Sequence, residues 1–400
     1  MKKIVIIGAN EFQNPLILKA REMGLETHVF AWREGAIGEK NADYFYPVSI
    51  VEKERILEEC RKIKPDAVAT IGSDLAMVTV QYVASRLQLP CNSEQSVLCS
   101  TNKYFMRKAF ERAEVYVPFY QCVDEETDIG GNWGRDFPFP VIVKPTDRSG
   151  SRGVTKVYEH GGLRDAVRRA MEASFEKKTM VEEYIQGPEY SFESISVDGV
   201  HRNLAVTKKY TTGSPNYIEM GHIEPAGLSE EICRRAEKCI FRALDALQIK
   251  NGASHAEFKI DGRGEIRIIE IGARMGGDFI GSDLVHLSTG YDYVKMVIQT
   301  SMGEQISLDR ESHQAAAAVR FLFCEEDLEH FRQIQREFPD RIVCTGGVEN
   351  SCSRAVEDSS SRHGYYILRC RSLEEAERLA ELGGFHSSAE EKVNCRKEDA

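Results

Sequence analysis

His255–Asp278 reads HAEFKIDGRGEIRIIEIGARMGGD, and the fold turns on how that stretch pairs with itself. The alternating runs ASHAEFKI and EIRIIEI flank an Asp-Gly-Arg-Gly turn, the pattern of a β-hairpin. With Ile260 opposite Glu265, Glu257 falls opposite Ile268, and Glu270 lies one diagonal step away on the same face. A two-residue loop keeps that arrangement, whereas a three-residue loop puts the carboxylates on opposite faces. Two acids on one otherwise apolar face repel unless a cation joins them. Magnesium, or manganese in its place, meets that need: such an ion takes one or two carboxylates and completes its shell with phosphate oxygens and water. The plain alternative is a surface hairpin with solvated acids. Arg274 follows four residues after Glu270, and Met275-Gly276-Gly277-Asp278 keeps the backbone beside it open.

Outward from the hairpin, composition sets bounds. A chain of 400 residues holds roughly two to four compact units. With 42% apolar and 29% charged residues it reads as an ordinary globular protein. A net charge of −11 argues against nucleic acid or an anionic membrane as partner, while leaving room for a local basic groove around a nucleotide. No apolar run is long enough to span a bilayer, and MKKIVIIGAN runs straight into a strand without the features of a signal peptide. Eleven cysteines, an odd number with no C-x-x-C pair, suit free thiols in a reducing cytosol. A cytoplasmic location is the expectation.

The N-terminal third alternates strand and helix: Lys3–Ile7, a helix from about Pro15 to Met23, Glu26–Ala31, Lys53–Ile63, Ala67–Ile71 and Ala76–Leu87. That order predicts a parallel, doubly wound sheet. Gly8 stands alone where a dinucleotide fingerprint needs three glycines, so a substrate-binding or structural lobe is the better reading. A helix at Thr101–Arg112 follows, with Ser100 or Thr101 as N-cap. Lys103 lies in its first turn, against the macrodipole, which hints at an anion nearby. Next, a buried strand Val141–Lys144 opens into the loop Asp147–Gly153, and Val154–Tyr158 returns antiparallel. A loop carrying Ser149, Gly150 and Gly153 can fold its N–H groups over phosphates while Lys144 supplies a fixed charge. It is no Walker loop, and a mobile hairpin tip is the alternative.

After a helix at Leu163–Ala173, Thr179–Ile185 is strand-like and breaks at Gly187-Pro188 before Glu189 leads the strand Tyr190–Val197. A bent strand edge can offer bare backbone to a flat heterocycle, and the following carboxylate suits ribose hydroxyls. Lys208-Lys209 sit on the next strand, and Thr211–Ala226 reads as a Gly/Pro-punctuated loop whose Glu219 and His222 either face substrate or are plain loop polars. A helix, Ser229–Leu247, leads into the hairpin. His255 and Glu257 make an H-x-E pair, but the cysteines of a zinc deaminase are missing. Tyr291–Met302 is an amphipathic helix. From Gln314 a strand, a helix at Asp327–Glu337, further strands including Tyr365–Cys370 and a helix at Leu373–Leu382 make a small α+β appendage, and 386–400 is polar enough to lack order.

The ordered set Lys103, Val143-Lys144-Pro145 with its Gly/Ser loop, Glu182-Glu183-Tyr184-Ile185, Gly187-Pro188-Glu189, Glu257 and Glu270-x-x-x-Arg274 resembles the ATP-grasp superfamily. Within it, the ARMGGD ending, the EMGHIEP loop and the late appendage look most like carboxylate–amine ligases of the L-amino-acid ligase type. The resemblance spans roughly residues 1–383. It implies an N-terminal α/β domain over 1–96, a two-lobed α+β nucleotide clasp over 97–310, and a C-terminal α+β appendage over 311–385. It also implies that Lys103 and Lys144 hold the α- and β-phosphates and that the loop of Ser149, Gly150 and Gly153 closes over the triphosphate. Glu182, Glu183 and Ile185 would lie along adenine, with backbone contacts from Glu182 and Ile185; Glu189 would bind ribose. Glu257 and Glu270 would ligate magnesium, and Arg274 would neutralise the γ-phosphate or acyl phosphate. One departure stands out: many members have Glu-x-Asn where this chain has Glu270-Ile271-Gly272, so an Asn ligand is absent.

The implied reaction is ATP-dependent joining of a carboxylate, an amino acid or similar small acid, to an amine through an acyl phosphate, with ADP and phosphate released. Two other readings stay open. One is carboxyphosphate chemistry of the biotin-carboxylase or carbamoyl-phosphate kind. The other is a non-catalytic nucleotide-binding regulator. The partners implied are small molecules, with a homodimer left open.

Overall fold

The computed structural model describes residues 1–214, 217–310 and 315–382; the tail from 386, expected to lack order, lies outside them. Its first unit runs β1 (Lys3–Ile7), α1 (Asn14–Glu22), β2 (Glu26–Ala31), β3 (Tyr44–Pro47), α2 (Lys53–Ile63), β4 (Ala67–Ala69) and α3 (Asp74–Arg86). The strands pair in parallel in the order β3-β2-β1-β4. Because successive side chains point to opposite faces, β1 feeds two cores. Ile4 and Ile6 pack with Leu16 and Ile17 of α1, while Val5 and Ile7 pack with Ile56 and Leu57 of α2 and Val80 of α3. A sheet buried on both faces explains the unbroken apolar run Ile4–Ile7. The first of these cores also holds Tyr293, Met296 and Ile298, from a helix that sequence reading had assigned to the next unit.

The helix expected over Thr101–Arg112 is α5 (Lys103–Arg112), and a further helix, α4 (Glu94–Thr101), precedes it. Asn102 separates them: its side chain accepts from the N–H groups of Tyr104 (3.1 Å) and Phe105 (3.4 Å), so it, rather than Ser100 or Thr101, is the N-cap of α5.

The second unit is an antiparallel sheet in the order β5-β8-β6-β7, made of β5 (Tyr120–Val123), β6 (Val141–Pro145), β7 (Thr155–Val157) and β8 (Thr179–Glu183), with α6 (Leu163–Ala173) on one face. The third is larger. Strands β9 (Glu189–Val197), β10 (Val200–Thr211), β11 (Glu219–Glu224), β12 (Gly252–Ile260) and β13 (Ile266–Gly272) join β14 (Ala316–Phe321), β15 (Ile342–Gly346) and β16 (Tyr365–Cys370) in one eight-stranded sheet, ordered β13-β12-β9-β10-β11-β14-β16-β15. Helices α7 (Glu230–Ala246), α8 (Val285–Thr289), α9 (Tyr293–Ser301), α10 (Glu325–Glu337) and α11 (Leu373–Ala380) pack around it.

One expectation is corrected. Part of the stretch expected as a loop, Glu219–Glu224, is strand β11, held between β10 and β14. The late strands of the α+β appendage extend this same sheet: β14 pairs with β11 over Gly221–Glu224, and Tyr210, Met220 and Ile223 share a core with Leu328, Phe331 and Tyr366. No helix among the described residues is long and apolar enough to cross a membrane.

Candidate functional site

The β12–β13 hairpin forms, but in a different register from the expected one. Ile260 pairs with Ile266, Lys259 with Arg267 and Phe258 with Ile268. That ladder, carried on regularly, would set Glu257 against Ile269 and put Glu270 on the other face. A bulge between Glu257 and Phe258 shifts the pairing so that Glu257 stands directly opposite Glu270. Two charges about 5 Å apart at an effective dielectric near 20 repel by roughly 3 kcal/mol, so the pair requires cations.

The protein supplies them. Lys103, buried at the start of α5, donates to Glu270 (3.0 Å) and to the Arg148 carbonyl (2.7 Å), which answers the dipole conflict read from its position. Lys209 of β10 pairs with Glu257 and reaches Glu189 at 3.3 Å. Burial raises the pKa of the Glu257 carboxyl, but the Lys209 ammonium and the His255 imidazole outweigh burial and hold it well below the usual carboxylate range. His255 sits between Glu193 and Glu257, at 3.2 Å from the latter. Burial lowers the pKa of that imidazole, but the Glu193 carboxylate outweighs burial and holds it up at about 9. The other oxygen of Glu193 accepts the Gly276 N–H at 3.0 Å, fixing the backbone just past Arg274.

On the facing sheet, Glu182 is buried between Arg107 of α5 (2.7 Å) and Lys144 of β6. Burial pushes its carboxyl up, yet Arg107 and Lys144 pull it down to about 2. Arg107 also donates to the Ile269 carbonyl at 2.7 Å, tying α5 to the bulged strand. The β8–β9 connection bends at Gly187, whose φ of 141° and close approach to the Ile260 carbonyl leave no room for a side chain.

A cleft of about 1080 Å³ lies between the two sheets. Lys103, Lys144, Ser149, Gly150, Glu182, Glu183, Ile185, Glu189, Glu257, Glu270 and Arg274 all line it. Gly153 does not: it has a φ of 73°, and a Cβ there would come within 2.8 Å of Ala173, so it shapes the base of the loop against α6. Sequence reading missed Arg107, Lys209 and His255's partner Glu193. The spacing Lys103-x-x-x-Arg107 puts both cations on one helix face and was a readable signal; the partners of Lys209 and His255 were not, because they come from other strands.

At one end of the cleft, Arg274 is held by Asp74 of α3, through Nε (2.9 Å) and Nη2 (3.0 Å). At another is Glu219 of β11, near the buried His222 and the Asp278–Arg362 pair. Glu219 lines the cleft, accepts from Ser359 (3.0 Å), and has its carboxyl pushed up by burial. His222 is fully buried with neither ring nitrogen hydrogen-bonded, its Nε2 3.8 Å from Asp278, and Asp278 is clasped by Arg362 at 2.9 and 3.1 Å. Lys208 points away, near Glu377.

Comparison with known proteins follows this geometry. Residues 137–283 match the family model described as the ATP-grasp domain. Alanine–anticapsin ligase of Bacillus subtilis is 27% identical over 271 residues, 59% of this chain and 56% of that protein. The carbamoyl phosphate synthase large chain of Thermotoga maritima is 26% identical over 277 residues, 66% of this chain and 24% of that protein. The chain therefore spans about half or less of the length of these relatives. The crystal structure of L-amino acid ligase from Bacillus licheniformis superposes with a TM-score of 0.80 at 23% identity, covering 95% of this chain and 96% of that one, which establishes a shared fold.

Proposed function

We propose that this chain, built around an ATP-grasp domain, is an ATP-dependent ligase that joins a small carboxylate to an amine through an acyl phosphate, releasing ADP and phosphate. The observation that carries the reading is the facing of Glu257 and Glu270 beside Arg274, in a cleft that Lys103 and Lys144 also line. In this reading residues 1–96 support the site, 97–310 clasp the nucleotide and 311–385 close the substrate side. Adenine lies along Glu182, Glu183 and Ile185, Glu189 takes ribose, and Ser149 and Gly150 cover the phosphates.

The two opposed carboxylates fit magnesium, or manganese in its place, as a site completed by phosphate oxygens; no group of three or more His, Cys, Asp or Glu among the described residues makes a closed metal cage. Bound there, the ion supplies charge neutralisation at the transferring phosphoryl group. The chain's own residues do the rest. Lys103 exchanges Glu270 for phosphate oxygens, Lys144 holds charge already present in bound ATP, and Arg274 meets charge that grows during transfer. Glu219 lines the same cleft, and its carboxyl is the group an amino-acid ammonium would meet there, which makes an amino acid the expected carboxylate substrate. No side chain is needed as a covalent nucleophile.

The likeness to carbamoyl phosphate synthase favours a second reading, carboxyphosphate formed from bicarbonate. A screen of ADP release over amino acids, singly and in pairs, with bicarbonate as a separate arm, separates the two. Carboxylate substrate labelled with ¹⁸O should then pass one labelled oxygen to phosphate for each amide formed. Stoichiometric AMP, or unlabelled phosphate alongside normal amide formation, removes the acyl-phosphate mechanism.

A further inference from the structure

The contact least expected from sequence joins Asp74, the first residue of α3, to Arg274, two hundred positions later. Asp74 follows the N-cap Ser73, whose hydroxyl accepts the Ala76 N–H at 3.2 Å, so its backbone is fixed by the helix start. Its two oxygens take Nε and Nη2 of Arg274 in a fork. The lobes also meet through the backbone there, where Gly72 donates to the Met275 carbonyl at 3.2 Å.

A guanidinium offers two parallel-donor edges. Asp74 occupies the side edge; at the end edge, Nη1 with the second hydrogen of Nη2, the contact among the described residues is a long one from Nη1 to the Met275 carbonyl at 3.4 Å. That edge is the one available to a phosphoryl group in the cleft that Arg274 lines. Gly272 makes the fork possible. A Cβ at that position would lie 2.8 Å from Asp74 Oδ1 and 3.1 Å from Arg274 Nε, so a side chain there would displace the fork from this geometry. Among the described residues, the hairpin is bare at the point where the pair crosses it.

We propose that Asp74 is a positioning residue for phosphoryl transfer: it locks Arg274 so that the end edge of the guanidinium faces the γ-phosphate, and Gly272 is the space this lock requires. The inference rests on the ligase reading above and adds a member of the N-terminal lobe to its machinery. A lobe-docking strut with no effect on chemistry is the competing account, and the two differ in what they do to phosphate discrimination.

The test uses the full chain and Asp74→Asn, Asp74→Glu and Gly272→Ala variants, with melting curves to confirm folding. Calorimetry with MgADP and with the magnesium complex of the β,γ-imido analogue of ATP isolates the γ-phosphate. Asp74→Asn and Gly272→Ala should keep MgADP affinity within about two-fold and lose most of the extra affinity the analogue shows in the wild type. With a turnover assay in hand, kcat should fall by about ten- to a hundred-fold, the scale of a misplaced catalytic group, with KM for ATP little changed. Asp74→Glu, keeping the charge, should recover more of both readouts than Asp74→Asn. Wild-type discrimination and kcat in folded Asp74→Asn overturn the proposal, as does a parallel loss of MgADP affinity and melting temperature, which marks a strut. A wild-type chain that binds no MgADP overturns the ligase reading itself, and the proposal with it.

Discussion

Glu182 shows how one residue can be legible in identity and hidden in role. Its place before Glu183-Tyr184-Ile185 marked it for the adenine edge, yet its side chain is the buried counter-charge of Arg107 and Lys144. The pKa of that carboxyl falls from an ordinary 4.5 to about 2, because the two cations outweigh burial. A depressed folded-state pKa adds stability above the unfolded value and loses it as pH drops through the folded one. Urea unfolding of the wild type should therefore lose a share of its stability between about pH 4.5 and pH 2 that Glu182→Gln lacks. At neutral pH the same variant leaves two buried cations facing each other and should be less stable by about 3–5 kcal/mol. Wild-type and variant profiles that stay parallel through the acid window would show that the carboxylate is not held this way. Lys103 and Lys144 could be picked from the sequence as cations in unusual settings; their acid partners could not, since each comes from another element.

The hairpin makes the same point for an element. Its strands could be read from alternation and its turn from Asp261-Gly-Arg-Gly264, but the register depends on the bulge, which one-residue counting does not reveal. The connection from Asp261 to Glu265 is odd in length and by itself would separate the acids; the bulge reverses the offset, and Arg107 holding the Ile269 carbonyl helps keep it in place. If the facing of the acids matters for metal, Glu257→Gln and Glu270→Gln should each cut magnesium-dependent turnover by at least a hundred-fold, each removing a ligand charge at nearly constant volume. The two should differ in stability: Glu257→Gln takes an acid partner from both Lys209 and His255, whereas Glu270→Gln takes one from Lys103 alone. Near-normal rates in both at saturating magnesium would return the acids to a structural role.

Across the whole molecule, the large sheet ties the units together. β14 and its neighbours extend the nucleotide-side sheet rather than forming a separate one, and α9 lies against the N-terminal sheet from a segment far along the chain. The Asp278–Arg362 pair closes the same circuit: Arg362 comes from the connection between β15 and β16, forks onto Asp278 and lies 3.6 Å over the Phe321 ring. Arg362→Ala should leave Asp278 buried beside His222 without a cation and cost on the order of 3 kcal/mol, with Arg362→Lys in between because a point charge cannot fork. Guanidine unfolding reads the difference. A loss below about 1 kcal/mol would mean that water screens the pair as it would at an open surface.

By itself the sequence determined what short-range physics can determine. The apolar run Ile4–Ile7 and the alternation of strand with helix set the parallel strands Lys3–Ile7 and Glu26–Ala31, helical spacing set Lys53–Ile63 and Leu163–Ala173, and an ordered series of weak motifs pointed to the ATP-grasp fold. Shorter or punctuated elements escaped it: β3, β5 and α4 are four to eight residues long, too short for periodicity to separate from noise. Tertiary structure alone decided which charges meet. Lys209 with Glu257, Arg107 with Glu182, Asp74 with Arg274 and Arg362 with Asp278 are separated by tens to hundreds of residues. Each pairing is selected by burial, where an unmatched charge is too costly to keep, and burial is a property of the packed chain rather than of any stretch of it.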